Sequence, residues 1–179
     1  MPEMSRKELD RCLCGVAMGD RVCLRELYVS LKQPIYLFSL TLLRRRSDAE
    51  DIAQQTFLEI MSCAANYKPN SNPRAWIFTI TRNLCMDFLK RNSRDIPTDA
   101  DYFKTFCGDR FIPDEKVLVY EALDRLNHLE KQIVVLFIFA GFKQTEIARV
   151  LDISYIAVRS KYGYAIRKLK TFYQESPGG

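Results

Sequence analysis

The sequence predicts an all-α chain of two small helical domains joined by an acidic linker. Three observations predict it. Apolar residues recur three and four apart along nearly the whole chain, with no sustained period-two alternation of the kind a half-buried strand needs. The 179 residues are 47 % hydrophobic and 27 % charged, with only 7 Gly and 7 Pro, a composition that can bury a core and is neither disordered nor collagen-like. Helical patterning also breaks once, across an acid-rich stretch from Asp95 to Glu115, and the length suits one compact domain or two small ones.

The elements follow in order. A short helix is expected from Ser5 to Met18, stopped by Gly19. Asp20 can cap a second helix running through Leu24, Leu27, Leu31, Ile35, Phe38 and Leu42, with Pro34 a possible bend. Asp48 can cap a third, with Ile52, Thr56, Ile60 and Cys63 on one stripe beside Phe57. Asn72 followed by Pro73 reads as a cap and first turn, because proline is tolerated at the first helical position. That fourth helix would carry Trp76, Ile77, Ile80, Leu84 and Phe88 inward. After the acidic stretch, helices are expected over Asp114 to Leu126, Leu129 to Ala140 with Gly141 as its stop, Gln144 to Leu151, and Ser154 to Tyr173.

Several chemistries lack support. The longest apolar run, Ile133 to Phe142, is half the roughly 20 residues a membrane-spanning helix needs. The polar N-terminus lacks the basic-then-apolar order of a secretory signal, so a cytoplasmic protein is expected. Six cysteines and a single histidine, His128, offer Cys12-x-Cys14 but no C-x-x-C pair, so neither a zinc site nor a Cys–His nucleophile is expected, and the cysteines read as mostly reduced thiols, either core-filling or bystanders. No glycine-rich phosphate loop is present. No cofactor, metal or small-molecule ligand has a motif to hold it, while a Ser–Lys or carboxylate-pair enzyme stays open on these residues; attention turns first to binding surfaces.

The net charge is +5, and its distribution matters more than its size. Between Tyr67 and Arg94 stand Lys68, Arg74, Arg82, Lys90, Arg91 and Arg94 against Asp87 alone. Between Lys143 and Lys170 seven basic residues oppose Glu146 and Asp152. Six acids in Asp95–Glu115 separate the two clusters, opposed only by Lys104 and Arg110. A single basic run is commonly a solvated helix face. Two of them in separate helical units, one interleaved with Tyr67, Trp76 and Phe78, point to a polyanion.

Gln144 to Lys161 has helix-turn-helix grammar. Ile147, Ala148 and Leu151 would pack inward, Asp152 tolerates a left-handed turn position, and Ser154 can cap the next helix. There Val158, Tyr162, Ala165, Ile166 and Leu169 form the inner stripe, leaving Arg159, Ser160, Gly163, Tyr164 and Arg167 outward. A recognition helix needs that division to anchor on one face and reach base edges with the other. An αα-hairpin with a solvated basic face is the plainer alternative.

Taken together, Asp48-Ala-Glu-Asp-Ile-Ala-Gln-Gln-Thr-Phe-Leu-Glu-Ile, the segment Tyr67-Lys-Pro-Asn-Ser-Asn-Pro-Arg-Ala-Trp-Ile-Phe-Thr-Ile-Thr-Arg-Asn-Leu and the helix-turn-helix resemble an extracytoplasmic-function sigma factor of bacterial RNA polymerase, over Asp20 to Phe172. The resemblance implies a non-catalytic initiation factor of the sigma-70 family. Its domains would be sigma region 2 over 1–92, a linker over 93–114 and sigma region 4 over 115–179. It implies as partners core RNA polymerase, through the beta-prime clamp helices and the beta flap, promoter DNA, and an anti-sigma factor. Asp48, Asp51, Gln54, Gln55 and Phe57 match the clamp-binding positions, with Phe57 alternatively a core residue; Gln55 stands where the family usually has Glu. Lys68, Asn70, Arg74, Arg82, Asn83, Lys90 and Arg91 match the surface that opens the −10 element, with Asn83 the best base contact and Trp76 also readable as core. Arg159, Ser160, Lys161, Tyr164 and Arg167 match the surface that reads the −35 element as duplex. Gly163 and Tyr164 depart from the common pattern there, as does Lys143 at a position where capping residues are frequent. The acidic linker resembles the segment threaded near the active-centre and RNA-exit channels. A free-standing dimeric helix-turn-helix regulator would explain only the last third of the chain, and a helical adaptor would leave the basic faces unused.

Overall fold

The computed structural model describes residues 4–92 and 121–175. The expected linker, and most of the helix expected from Asp114 to Leu126, lie outside the described residues; that helix is seen only at 121–124. Among the described residues the secondary structure is entirely helical.

Helix α1 (Arg6–Ala17) begins with a capping box, in which the Ser5 hydroxyl accepts from the Glu8 N–H and the Glu8 carboxylate accepts from the Ser5 N–H at 2.7 Å. Such a cap is worth about 1 kcal/mol. Gly19, at φ +83°, takes the left-handed conformation after the helix. Asp20 caps α2 (Arg21–Leu43), its carboxylate accepting from the Val22 and Cys23 N–H groups. Pro34 lies inside α2, where Leu27, Leu31, Ile35 and Phe38 form the buried stripe. Gly15 is required where α1 crosses α2, since a Cβ there would stand 2.5 Å from the Cys23 sulfur.

Helix α3 (Arg46–Cys63) corrects one expectation. Arg45, which provides no side-chain cap, precedes it, and Asp48 falls in the first turn with Ser47 donating to its carboxylate. Arg44, left-handed at φ 62°, turns the chain so sharply that the helix starts before Asp48 is reached. Asp48 still favours the helix, as a negative charge at its positive end. Asn72 caps α4 (Pro73–Arg91) as the sequence predicts, with Pro73 in the first helical position. Trp76, Ile80, Leu84 and Phe88 are partly buried around a fully buried Ile77.

In the C-terminal unit the helical stretch at 121–124 is followed by α5 (His128–Val134), capped by an Asn127–Glu130 capping box. It passes into a π-helical turn at Val135–Phe139, where the expected single helix over Leu129 to Ala140 changes its winding. Helix α6 (Gln144–Leu151) and α7 (Tyr155–Glu175) complete the helix-turn-helix. Asp152 is left-handed at φ 56°, and the Ser154 hydroxyl accepts from the Ala157 N–H at 3.1 Å. Val158 and Ala165 are fully buried on the inner face of α7.

One apolar core runs through both units. The π turn packs on α2 and α6 packs on α4. At the junction Phe78 stacks edge-on to Phe142 at 5.1 Å and tilts against Phe38 at 5.6 Å. All three rings are buried, and each such side chain contributes about 1.5–3 kcal/mol of burial. Cys12, Cys23 and Cys85 fill core positions, and burial, the main cause, pushes the Cys12 and Cys85 thiols up to about 12. Among the described residues, no helix is long and apolar enough to cross a membrane.

Candidate nucleic-acid interface

The loop entering α4 is built around a tight turn. Lys68-Pro69-Asn70-Ser71 carries Pro and a left-handed Asn in its two central positions, with the Ser71 N–H returning to the Lys68 carbonyl at 3.2 Å. Asn suits that place because its short polar side chain tolerates φ +64°. Tyr67 anchors the loop: its ring is buried edge-on to Trp76 at 5.4 Å and its hydroxyl donates to Asp10 at 2.6 Å. Burial and that neighbouring carboxylate push the phenol up to about 12, so it remains a donor at any ordinary pH. Lys68 and Asn70 are left exposed at the tip.

Downstream, α4 presents an outer stripe of Thr79, Asn83, Asp87 and Lys90, spaced to share a face. Arg82 is half-buried beside it, and Arg91, exposed at the end, donates to the Asp87 carbonyl. Lys90 and Asp87 pair loosely at 3.7 Å in solvent, a contact worth under about 1 kcal/mol that leaves Lys90 available. From Arg74 to Arg91 the helix extends about 26 Å at 1.5 Å per residue. Loop and helix therefore form one basic track bearing two exposed amides, Asn70 and Asn83.

Arg74 and Asn72 are engaged elsewhere in this arrangement. The Arg74 guanidinium donates to the carbonyls of Ala140 and Met4, both at 2.6 Å. The Asn72 amide donates to Glu146 at 2.6 Å. Glu146 also accepts from the Lys143 N–H at 2.8 Å, supplying the half of a capping box that the Lys143 ammonium, having no lone pair, cannot return.

In the helix-turn-helix, α7 exposes Arg159, Ser160, Gly163, Tyr164 and Arg167, while Lys161 is half-buried. Arg167 lies over the Tyr164 ring at 4.5 Å, a cation–π contact worth about 0.5–1 kcal/mol at an exposed site. A Cβ at Gly163 would meet nothing within 4 Å, so the fold itself has no need of glycine there. Sequence reasoning missed Tyr155 and Ile156, which project from the first turn of α7 with Ile156 79 % exposed. Their unpaired apolar surface at the leading end of a recognition helix was the available signal.

On α3, Asp51, Gln54 and Gln55 share one exposed face, with Asp48 half-buried at its start. Phe57 faces the other way: it is 6 % exposed and packs against Tyr28 with ring centroids 4.9 Å apart. Of the two readings open for Phe57, the structure places it in the core. The apolar members of the outer face are instead Leu58 and Met61, both more than half exposed. They were missed because the inner stripe's Phe57 drew the apolar assignment one position early.

Comparison with known proteins gives these surfaces a context. The Sigma-70 region 2 family matches residues 27–95 and the Sigma-70 region 4 family matches residues 122–171. The ECF RNA polymerase sigma factor SigL of Mycobacterium tuberculosis strain H37Rv is 28 % identical over 168 residues, covering 90 % of this chain and 94 % of SigL. ECF sigma factor EcfG of Rhodopseudomonas palustris is 29 % identical over 138 residues, 74 % of this chain and 75 % of that protein. In fold, the chain is similar to CnrH, solved with the cytosolic domain of CnrY, at a TM-score of 0.65 and 22 % identity over 94 % of this chain and 99 % of CnrH. It is also similar to RpoE of Bartonella quintana, solved with the anti-sigma factor NepR, at a TM-score of 0.63 and 21 % identity over 85 % of this chain and 96 % of RpoE. With both sigma regions present in order and relatives of this kind along most of its length, the chain belongs to the sigma-70 family as an extracytoplasmic-function RNA polymerase sigma factor, the subunit that directs core polymerase to promoter DNA.

Proposed function

We propose that this sigma factor divides promoter recognition between its two basic tracks. The Lys68–Asn72 loop and α4 take the −10 element as separated strands. Asn83 and Asn70 offer amides to unpaired bases, while Arg74, Arg82, Lys90 and Arg91 hold phosphates. Helix α7 enters the major groove at the −35 element, with Arg159 and Ser160 toward base edges, and Lys161 and the stacked Tyr164–Arg167 pair toward the backbone. Asp48, Asp51, Gln54 and Gln55, joined by Leu58 and Met61, meet the beta-prime clamp helices, and region 4 meets the beta flap. Within this reading region 2 spans 1–92, the linker 93–114 and region 4 115–179. The protein acts in the cytoplasm without a catalytic site of its own, and an anti-sigma factor restrains it; the similar RpoE is solved in complex with one.

The observation that carries the proposal is the coexistence of a cross-braced, amide-tipped loop on a basic helix with a capped helix-turn-helix whose outer face is basic. It has a mechanical consequence. The −10 and −35 elements lie about 25 base pairs apart, roughly 85 Å at 3.4 Å per step, whereas here the two units share one core. Region 4 must leave region 2 before both elements are read, which releases Arg74 and Asn72 for DNA.

Transcription by core polymerase from matched templates, and from templates altered in one element, tests the division. Asn83→Ala is expected to lower discrimination at −10 and leave core binding intact. Arg159→Ala is expected to weaken −35-dependent initiation by about 1–3 kcal/mol if it contacts a base. Unchanged discrimination in both variants would overturn the assignment.

A further inference from the structure

Helix α1 precedes everything the promoter-reading proposal uses, yet two of its side chains reach some sixty residues ahead to the Lys68–Asn72 loop. Asp10 accepts through a single oxygen from the Tyr67 hydroxyl at 2.6 Å and from the Asn70 N–H at 2.7 Å. Arg6, one turn earlier on the same face, donates to the Ser71 carbonyl from Nε at 3.1 Å and from Nη2 at 2.7 Å, and to the Asn70 carbonyl at 3.1 Å. The carboxylate thus holds the donors of the turn and the guanidinium its acceptors. Four of the five bonds land on Asn70 and Ser71 and the fifth on Tyr67, which anchors the loop; Asn70 is held left-handed at φ +64°, a conformation that costs free energy for a residue other than glycine. Arg6 lies at the surface, and Asp10 is only half-buried. Neither residue is needed to fill the core, so their common target is the loop.

We propose that Arg6 and Asp10 are positioning residues that hold the Lys68–Asn72 loop in its base-reading shape and thereby set selectivity at the −10 element. This inference rests on the reading of that loop as part of the −10 surface. A loop fixed before DNA arrives presents Lys68 and Asn70 at a defined spacing from Asn83. A loosened loop pays the ordering cost on every template and discriminates less. Neither residue contacts DNA in this account; both act through Tyr67, Asn70 and Ser71.

The test is the ratio of transcripts from a matched and a −10-substituted template, made by core polymerase with the full-length protein, alongside core affinity and melting temperature. Arg6→Ala and Asp10→Ala are expected to lower the ratio about tenfold, the equivalent of one charge-assisted hydrogen bond, with core affinity unchanged. Asp10→Asn, which still presents an acceptor oxygen, is expected to retain most of the ratio. Should Asp10→Ala unfold the chain, Tyr67→Phe removes one of the same bonds without altering α1 and decides the matter by the same ratio. Asn70→Gly, which keeps the turn and deletes the side chain, and Asn83→Ala report on the underlying reading. If those two reduce the ratio while Arg6→Ala, Asp10→Ala and Tyr67→Phe do not, the positioning role is overturned. If Asn70→Gly and Asn83→Ala also leave it at the wild-type value, the −10 assignment itself has failed.

Discussion

The Arg74 guanidinium donates to the Ala140 carbonyl at 2.6 Å, joining residues 66 apart in sequence and in different sigma regions. Beside it, the Asn72 amide meets Glu146 at 2.6 Å. The two regions are thus latched by side chains that the promoter-reading account assigns to DNA or to its loop.

Asn72→Asp is expected to open this latch. Aspartate caps α4 as well as asparagine does, but it sets a second carboxylate against Glu146. The isolated variant should show a larger radius of gyration by small-angle X-ray scattering at neutral pH. Dimensions equal to wild type at neutral pH would show that the apolar junction around Phe142 holds the regions together unaided.

The polymerase-facing prediction separates neighbours on α3. Leu58→Glu is expected to change stability by no more than about 0.5 kcal/mol, as surface substitutions do, and to weaken core polymerase binding at least about tenfold, close to 1.4 kcal/mol. Phe57→Ala is expected to cost about 3–5 kcal/mol of stability, so any loss of binding would follow from unfolding. Titration of labelled protein with core polymerase, paired with thermal melts, distinguishes them. Wild-type affinity in Leu58→Glu would move the clamp contact to another face.

Much of this was legible beforehand, because caps and periodicity are local. Asp20, Asn72–Pro73, Asp152 and Ser154 all play their predicted parts. Asp48 does not, because the left-handed Arg44 one turn earlier had already redirected the chain. Contacts of long sequence separation carry no such signal. Nothing in an Arg6–Asp10 spacing says that the pair faces a loop sixty residues on. Nothing in the lone Phe142 says that its ring closes a junction against Phe78. The recognition face was visible as a pattern, but the stacking of Arg167 on Tyr164 needed geometry.

Region 4 should show an acid-sensitive stability set by Glu130. Its carboxylate is almost wholly buried, which raises its pKa, but the Lys168 ammonium at 2.7 Å and the Asn127 N–H at 3.0 Å outweigh burial and hold it below its ordinary 4.5. A depressed pKa contributes stability that is present above the unfolded value and lost as pH falls through the folded one. Thermal melts are therefore expected to decline as the pH drops below about 4.5, and Glu130→Gln should flatten that decline. Lys168→Ala at pH 7 is expected to cost about 1–3 kcal/mol by leaving the carboxylate underpaired, toward the lower end because Lys168 is itself 44 % exposed. A Glu130→Gln variant with an unaltered acid profile would assign the sensitivity to other groups.

The most direct measurement is to map the 5′ ends of transcripts made on genomic DNA by core polymerase with and without this protein. A discrete set of new start sites is expected, each preceded at fixed spacing by the same pair of short elements, with Asn83→Ala blurring the nearer and Arg159→Ala the farther. Start sites identical to those of core polymerase alone, or new ones sharing no paired elements, would contradict that expectation.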